Sequence, residues 1–263
     1  MAVDVRSRLL AELTSQEISR RLQPASILCL PIGSIEQHGP HLPLNTDVVL
    51  AETFTQRIIG RWSEKFDLWQ LPTISFGLAR EHEWAPGTLS LSIQGMTAFV
   101  RDLGREIARS LPARNLAIIN GHGGNRGILE ALAQDLRADF TLNVCVMHPT
   151  VWTETATDTA IPDIHGGKNE TSMMLAIAPN LVRPDQIPRP VNATASTIQA
   201  TIIDKAVTWP WTTEEAQIAQ MGVIGDANGA SAELGERLLE QIAKNAGPVL
   251  QQLVNRQCRE RHS

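Results

Sequence analysis

The sequence lacks the long apolar run that a membrane helix requires, because no stretch approaches about 20 consecutive apolar residues. Residues 1–6 also lack the apolar core of a secretory signal peptide. Cysteine is scarce: there are three, odd in number and far apart along the chain, at Cys29, Cys145 and Cys258. Together these features predict a cytoplasmic protein in a reducing compartment.

A clustered excess of lysine and arginine is missing too. The chain carries 28 acidic and 23 basic residues, for a net charge of −5. Because phosphate binding needs a basic patch, a dedicated nucleic-acid surface is excluded. At 263 residues and 43% hydrophobic content the chain can bury a sizeable core, and it has no internal repeat or clear linker. We therefore expect one domain spanning residues 1–263.

Short apolar runs typical of buried strands alternate with segments of helical periodicity. Because parallel strands need helical crossovers, this alternation predicts an α/β fold, specifically a three-layer α/β/α sandwich with a mostly parallel sheet. Strands are predicted at 26–31, 68–74, 117–119 and 141–147, helices at 47–62, 94–111, 127–138, 170–178 and 230–254, and a long loop at 149–167.

Two polar segments follow apolar runs, where predicted strands end. Residues 33–47 carry Glu36, His38 and Asp47 among turn-forming glycines and prolines, and residues 120–125, Asn-Gly-His-Gly-Gly-Asn, carry His122. In an open α/β sheet, ligands bind at the carboxyl ends of the strands. Imidazole and carboxylate together suit zinc, iron or manganese, so the combination predicts a metal-dependent enzyme.

Each of these side chains also has an ordinary explanation. Asp47 stands at the predicted start of a helix, where aspartate is a common N-cap, although its two oxygens could instead bridge a pair of metals. Taken alone, Glu36 is explained as a surface carboxylate and His38 as a loop histidine. The glycines after His122 could simply turn the chain into the next helix. The presence of all four residues together favours metal binding over these ordinary explanations.

A third polar segment, residues 165–170, reads His-Gly-Gly-Lys-Asn-Glu. His165 ends the predicted long loop, and a neutral imidazole with a pKa of about 6.5 can exchange protons as a general acid or base must. Glu170 begins the next helix, where a carboxylate would also complement the helix dipole. A further polar loop, residues 80–88, could line the cleft or contact a neighbouring subunit.

These segments, in this order, resemble the creatininase family, also called creatinine amidohydrolases. The similarity extends from about residue 25 to 240, through residues 33–43, 46–47, 86–88, 121–125, 165–167, 170–172, 222–226 and 230–233. The resemblance implies a dinuclear metal site in which Glu36, His38, Asp47 and His122 are ligands and Asp47 bridges the two ions. It also places His165 where the family transfers a proton to the leaving nitrogen.

The resemblance further implies a metal-dependent amidohydrolase that cleaves a C–N bond, other than a peptide bond, of a small cyclic amide or formamide through a metal-activated water. The implied cofactors are two divalent ions, zinc first, with iron and manganese as alternatives. The expected partners are a small amide substrate and other copies of the chain, commonly in a hexamer. A non-catalytic small-molecule-binding protein and a ring-opening hydrolase or lyase that breaks a C–C bond are the alternatives.

One position departs from the family pattern. True creatininases have a glutamate two residues after the glycine-loop histidine, where it helps to bind a metal, whereas this chain has Gly124. The chain thus resembles the Gly-His-Gly-Gly-Asn branch, which includes formamidopyrimidine-nucleotide deformylases, mycofactocin-precursor peptidases and a cyclic inosose hydrolase. We therefore expect a substrate other than creatinine, and we predict that Glu170 is the compensating metal ligand.

Overall fold

A four-stranded parallel sheet forms the centre of the molecule. The computed structural model describes residues 8–153, 162–189, 195–204 and 206–260. The sheet order is β2-β1-β3-β4, and every neighbouring pair is parallel. The strands are β1 (Ile27–Ile32), β2 (Leu68–Gln70), β3 (Asn115–Asn120) and β4 (Asn143–Met147). The parallel sheet is as predicted. Only β2 is clearly shorter than the predicted strand 68–74, because the continuous pairing with β1 ends at Gln70. Beyond that point a single isolated bridge joins Ile32 to Ile74.

Helices cover both faces of this sheet. Within β1, Ile27 and Cys29 belong to an apolar core shared with α2, α5 and α7, whereas Leu28 and Leu30 belong to a second core shared with α3 and α4. This two-residue alternation is that of a strand buried on both sides, and it confirms the three-layer α/β/α sandwich. The helices are α1 (Ser15–Arg21), α2 (Thr46–Trp62), α3 (Ile93–Ser110), α4 (Arg126–Phe140), α5 (Lys168–Ile177), α6 (Ala195–Ile198) and α7 (Ala232–Glu260).

The helix predictions are confirmed to within a few residues, except that α7 continues six residues beyond the predicted end. Of the predicted long loop, residues 149–152 form a 3-10 turn, and residues 154–161 lie outside the described part of the chain. Cys29 and Cys145 are free thiols, and the side chain of Cys258 lies outside the described residues. Among the helices that the structure describes, none combines the length and apolar character needed to cross a bilayer.

The carboxyl ends of β1 and β3 bring the polar segments together. Ile32 pairs with Asn120 at the last rung of the two strands, so both following loops leave the sheet at the same edge. The start of α2 packs tightly against these loops. A Cβ atom at Gly33 would lie 2.6 Å from the backbone nitrogen of Val48, and one at Gly121 would lie 2.5 Å from the carbonyl oxygen of Asp47. Glycine at both positions therefore lets Asp47 approach the strand ends.

Candidate metal centre

All six residues predicted for the site lie together at this edge of the sheet. They form three groups of possible ligands: Glu36, Asp47 and His122 in the first, His38, Asp47 and Glu170 in the second, and Glu36, His38 and His165 in the third. Within each group the ligand atoms lie within 4.8 Å of one another. Asp47 belongs to the first two groups, because its Oδ1 atom lies 3.1 Å from Nε2 of His38 and its Oδ2 atom lies 3.1 Å from Nδ1 of His122.

Three histidines of the site are each anchored by a backbone carbonyl oxygen. Nδ1 of His38 lies 3.1 Å from the carbonyl oxygen of Glu36, Nε2 of His122 lies 2.6 Å from that of Leu78, and Nε2 of His165 lies 2.8 Å from that of Gln37. A carbonyl oxygen only accepts, so these ring nitrogens carry the hydrogen. In the neutral ring, the other nitrogen then carries a lone pair and no hydrogen.

These lone pairs face carboxylate oxygens. Nδ1 of His122 lies 3.1 Å from Oε2 of Glu36, Nε2 of His38 lies 3.9 Å from Oε2 of Glu170, and Nδ1 of His165 lies 3.7 Å from Oε1 of Glu36. Both carboxylate oxygens of Glu36, and Oδ2 of Asp47, are buried without a hydrogen-bond partner. Lone pairs and negative oxygens repel one another unless a cation lies between them. Imidazole anchored by carbonyl groups is also the usual arrangement of metal-binding histidine, so the donor set fits a divalent ion.

The charges of the pocket favour a cation beside Asp47. Burial opposes the charged form of His38, but Asp47, Glu170 and Glu36 outweigh it and raise the pKa of His38 to about 10. Burial also opposes the charged form of His122, but Glu36 and Asp47 outweigh it and raise the pKa of His122 well above its usual range. Although burial opposes ionisation of Asp47, His38 and His122 hold its pKa well below its ordinary value. A proton or a metal ion is therefore stabilised at the same place.

Burial dominates at the remaining groups. It raises the pKa of Glu36 to about 7 and that of Glu170 to about 7. It also lowers the pKa of His165 well below the usual histidine value, and the positive charge near His38 adds to this effect. His165 is therefore neutral at physiological pH, and its Nδ1 can accept a proton.

Two of the ordinary explanations can be compared with the structure. The N-cap of α2 is Asn45, and the Asp47 carboxylate faces His38 and His122, so the N-cap explanation of Asp47 is wrong. Glu170 does lie in the first turn of α5, where Oε2 accepts a hydrogen bond of 2.7 Å from the backbone of Gly166. That same oxygen also faces His38, so its ligand role stays a prediction.

The site contains residues that the sequence did not single out. Nε2 of His82 lies 3.4 Å from Oε1 of Glu36, and its ring stacks on His165 with 4.1 Å between the ring centroids. His82 belongs to the polar loop 80–88, which was expected either to line the cleft or to contact a neighbouring subunit. Through His82, this loop lines the site. Gln37, between two predicted ligands, and Thr213 also reach His82. Nothing in the sequence pattern around Thr213 indicates this position.

Comparisons with known proteins identify the relatives of this chain. A family model described as creatinine amidohydrolase (creatininase) matches residues 11–249. A mycofactocin precursor peptide peptidase of Mycobacterium ulcerans (strain Agy99) is 30% identical over 239 residues, which cover 89% of this chain and 88% of that protein. A creatinine amidohydrolase of Pseudomonas putida is 29% identical over 269 residues, 94% of this chain and 97% of the relative. A solved glutamate-to-glutamine mutant of creatininase, of the Zn-Zn type, has a TM-score of 0.73 and 26% identity, and the match covers 93% of this chain and 97% of that chain.

Proposed function

The chain belongs to the creatininase family of amidohydrolases, and from that premise we propose that it is a metal-dependent enzyme that cleaves a C–N bond of a small cyclic amide or formamide. The observation that carries the proposal is the set of three anchored histidines, His38, His122 and His165, whose lone pairs face buried carboxylate oxygens. An arrangement of this kind is costly unless a cation is bound, because each buried charge otherwise lacks compensation.

In this proposal two divalent ions share one carboxylate. Glu36 and His122 would hold one ion, His38 and Glu170 would hold the other, and Asp47 would contribute one oxygen to each. Such ions polarise an amide carbonyl and lower the pKa of a water molecule. The Zn-Zn type of the related creatininase supports zinc, and the nitrogen and oxygen donors also suit iron and manganese.

His165 would move the proton. Its Nε2 atom is occupied by the carbonyl oxygen of Gln37, so the neutral Nδ1 atom is the one that faces the site. As the water oxygen bonds to the carbonyl carbon, Nδ1 takes the proton that the water loses. As the C–N bond breaks, Nδ1 returns that proton to the leaving nitrogen, and the products are an acid and an amine.

A peptide C–N bond is the second candidate, because a relative that covers most of the chain at 30% identity is named a precursor peptide peptidase. The chemistry would be the same, and only the group around the scissile bond would differ. This chain has Gly124 at the position, two residues after His122, where a glutamate is expected in true creatininases. That difference supports a substrate other than creatinine for either candidate.

The test is a screen of purified protein, whose metal content has been measured, against formamides, cyclic amides, creatinine and short peptides. We expect metal-dependent release of an amine from one of the first two classes, with solvent oxygen in the new acid group when the reaction is run in heavy-oxygen water. Cleavage of peptides alone would establish the second candidate. A product without solvent oxygen would indicate a lyase, and tight ligand binding without turnover would indicate a binding protein.

We further propose that residues 1–263 form one domain that acts in the cytoplasm as a homo-oligomer, as a hexamer, on a small molecule and without a nucleic-acid or membrane partner. The two apolar cores pack on opposite faces of one sheet, which supports a single folding unit. Exposed apolar side chains near the start of α3 support an interface between copies. They are Phe76, Leu89, Ile93 and Phe99. Light scattering measures the number of subunits.

A further inference from the structure

Gln37 is a buried residue that stands between the proposed ligands Glu36 and His38 in the sequence. Its side-chain amide has a defined orientation. Oε1 accepts a hydrogen bond of 2.9 Å from the backbone nitrogen of Gly39, and Nε2 donates one of 3.0 Å to the carbonyl oxygen of Gly222. A backbone N–H only donates and a carbonyl oxygen only accepts, so the amide cannot be turned over. One further N–H of Gln37 remains.

That remaining N–H has two ring nitrogens and the hydroxyl oxygen of Thr213, at 3.2 Å, within reach. Nε2 of Gln37 lies 3.0 Å from Nδ1 of His82 and 3.1 Å from Nε2 of His165. The latter nitrogen already carries the hydrogen that it donates to the carbonyl oxygen of Gln37, so it cannot accept another. Gln37 therefore donates either to Nδ1 of His82, if that nitrogen is unprotonated, or to the hydroxyl oxygen of Thr213.

Thr213 decides between these two possibilities. Its hydroxyl oxygen lies 2.8 Å from Nδ1 of His82, accepts a hydrogen bond of 2.9 Å from Nε1 of Trp84, and lies 3.2 Å from Nε2 of Gln37. If Nδ1 of His82 carried a hydrogen, this oxygen would have to accept from all three groups. A hydroxyl oxygen has two lone pairs, so the hydrogen of neutral His82 lies on Nε2.

His82 thus differs from the other histidines of the site. His38, His122 and His165 present lone pairs to the carboxylates, whereas His82 presents an N–H, and this atom lies 3.4 Å from Oε1 of Glu36. The rings of His82 and His165 stack with an angle of 23° between their planes. The N–H of His82 and the lone pair of His165 therefore stand side by side near the same carboxylate oxygen, which the N–H attracts at 3.4 Å without forming a hydrogen bond.

We propose that Gln37, together with Thr213, fixes the hydrogen of His82 on Nε2, and that His82 thereby acts as a positioning residue whose N–H attracts the carboxylate of Glu36 instead of joining the metal ligands. The orientation of Glu36 matters because its two oxygens must face different histidines, Oε2 towards His122 and Oε1 towards His165. The importance given to Glu36 rests on the proposed function, whereas the position of the hydrogen on His82 does not.

The position of the ring hydrogen of His82 can be measured directly by ¹⁵N NMR, using zinc-loaded protein labelled with ¹⁵N-histidine. The signals of His82 are assigned by their loss in His82→Gln. We expect a protonated Nε2 and an unprotonated Nδ1 for His82, and zinc-shifted signals for His38 and His122. A protonated Nδ1, or a zinc-shifted Nε2, at His82 would overturn the proposal, and this measurement needs no variant other than the one used for assignment.

Zinc affinity, measured by competition with a chelator, tests the positioning role. His82→Phe keeps the stacked ring but loses the donor, and we expect zinc affinity to fall about 10- to 100-fold, as for other groups that orient metal ligands. His82→Gln can return an N–H to Glu36 and should recover most of that loss. Gln37→Met should weaken zinc binding, whereas the matched Gln56→Met on α2 should not. Equal affinities for His82→Phe and the unmodified protein would contradict the role.

The outcomes separate this inference from the proposed function. Should the protein hydrolyse no amide or peptide while His82 carries its hydrogen on Nε2 and supports zinc binding, only the proposed reaction fails. Should it hydrolyse an amide while the hydrogen of His82 lies on Nδ1, only the inference about Gln37 and His82 fails.

Discussion

The carboxylate of Glu81 lies in the space that a side chain at Gly124 would require. A Cβ atom on Gly124 would stand 2.6 Å from Oε1 of Glu81 and would clash with the carbonyl oxygen of Leu78. The absence of a side chain lets this segment close over His122, where Leu78 accepts the Nε2 hydrogen and Glu81 lies 3.7 Å from the same nitrogen. The space beside Gly124, the position at which a glutamate is expected in true creatininases, is thus filled from a neighbouring loop.

The first prediction concerns this close approach. Gly124→Ala should destabilise the fold by about 1–3 kcal/mol, the usual cost of overpacking, because the backbone of Leu78 must move away. Zinc affinity should fall as well, since Leu78 holds His122. Gly123→Ala is the matched control, because a Cβ atom there meets nothing within 4 Å. Urea unfolding and chelator competition measure both effects, and similar behaviour of the two variants would contradict the prediction.

The second prediction separates metal binding from proton transfer. His122→Ala should lose bound metal, because its Nδ1 faces both Glu36 and Asp47. His165→Ala should keep its metal and lower kcat about 10²- to 10⁴-fold, the usual contribution of a general acid or base. Elemental analysis and kinetics on the same preparations test this. Retention of both metal and activity in His122→Ala would remove that residue from the site.

The third prediction concerns the stoichiometry of metal binding. Asp47 belongs to the two ligand groups that are proposed to hold the two ions, so Asp47→Ala should abolish tight binding of both ions. Glu170 belongs to one group alone, so Glu170→Ala should leave one tightly bound ion per chain. Elemental analysis after dialysis gives the counts. Two ions retained by Glu170→Ala would show that this carboxylate is not a ligand. Glu106→Ala serves as the carboxylate control, because the side chain of Glu106 is exposed on α3 and pairs with Arg109.

The fourth prediction is a pH dependence of stability that arises at His41. This ring is fully buried beside Thr171, and burial, with the positive charge near His38, lowers its pKa to about 4 from 6.5. Between these values the unfolded chain binds the additional proton, so the contribution of His41 to stability is complete above about pH 6.5 and is lost as the pH falls towards 4. The full loss is about 3 kcal/mol.

His41→Gln keeps an amide that can pair with Thr171 but does not titrate. In metal-free protein, its free energy of unfolding should therefore fall less than that of the unmodified protein between about pH 7 and pH 4.5, by about 2 to 3 kcal/mol. Urea unfolding at the two pH values measures the difference. Parallel losses in both proteins would mean that His41 accepts its proton in the folded state as easily as in the unfolded chain.

The sequence by itself determined the layered architecture. Apolar runs in strands buried on both faces, and helical periodicity between them, are local patterns, so β1, β3, α2 and α3 were predicted to within two residues or fewer at each end. The residues Glu36, His38, Asp47 and His122 could be predicted as a candidate site because they are side chains that can bind a metal and they cluster beside glycines at strand ends.

Tertiary structure decided everything that depends on contacts between distant segments. Whether Asp47 caps a helix or faces two histidines is a matter of how α2 packs on Gly33 and Gly121, which no local pattern encodes. His82 and Thr213 reach the site from irregular segments that have no periodicity to read. The position of the hydrogen on a histidine depends on which carbonyl or hydroxyl group meets each ring nitrogen, and those partners are set only when the chain is folded.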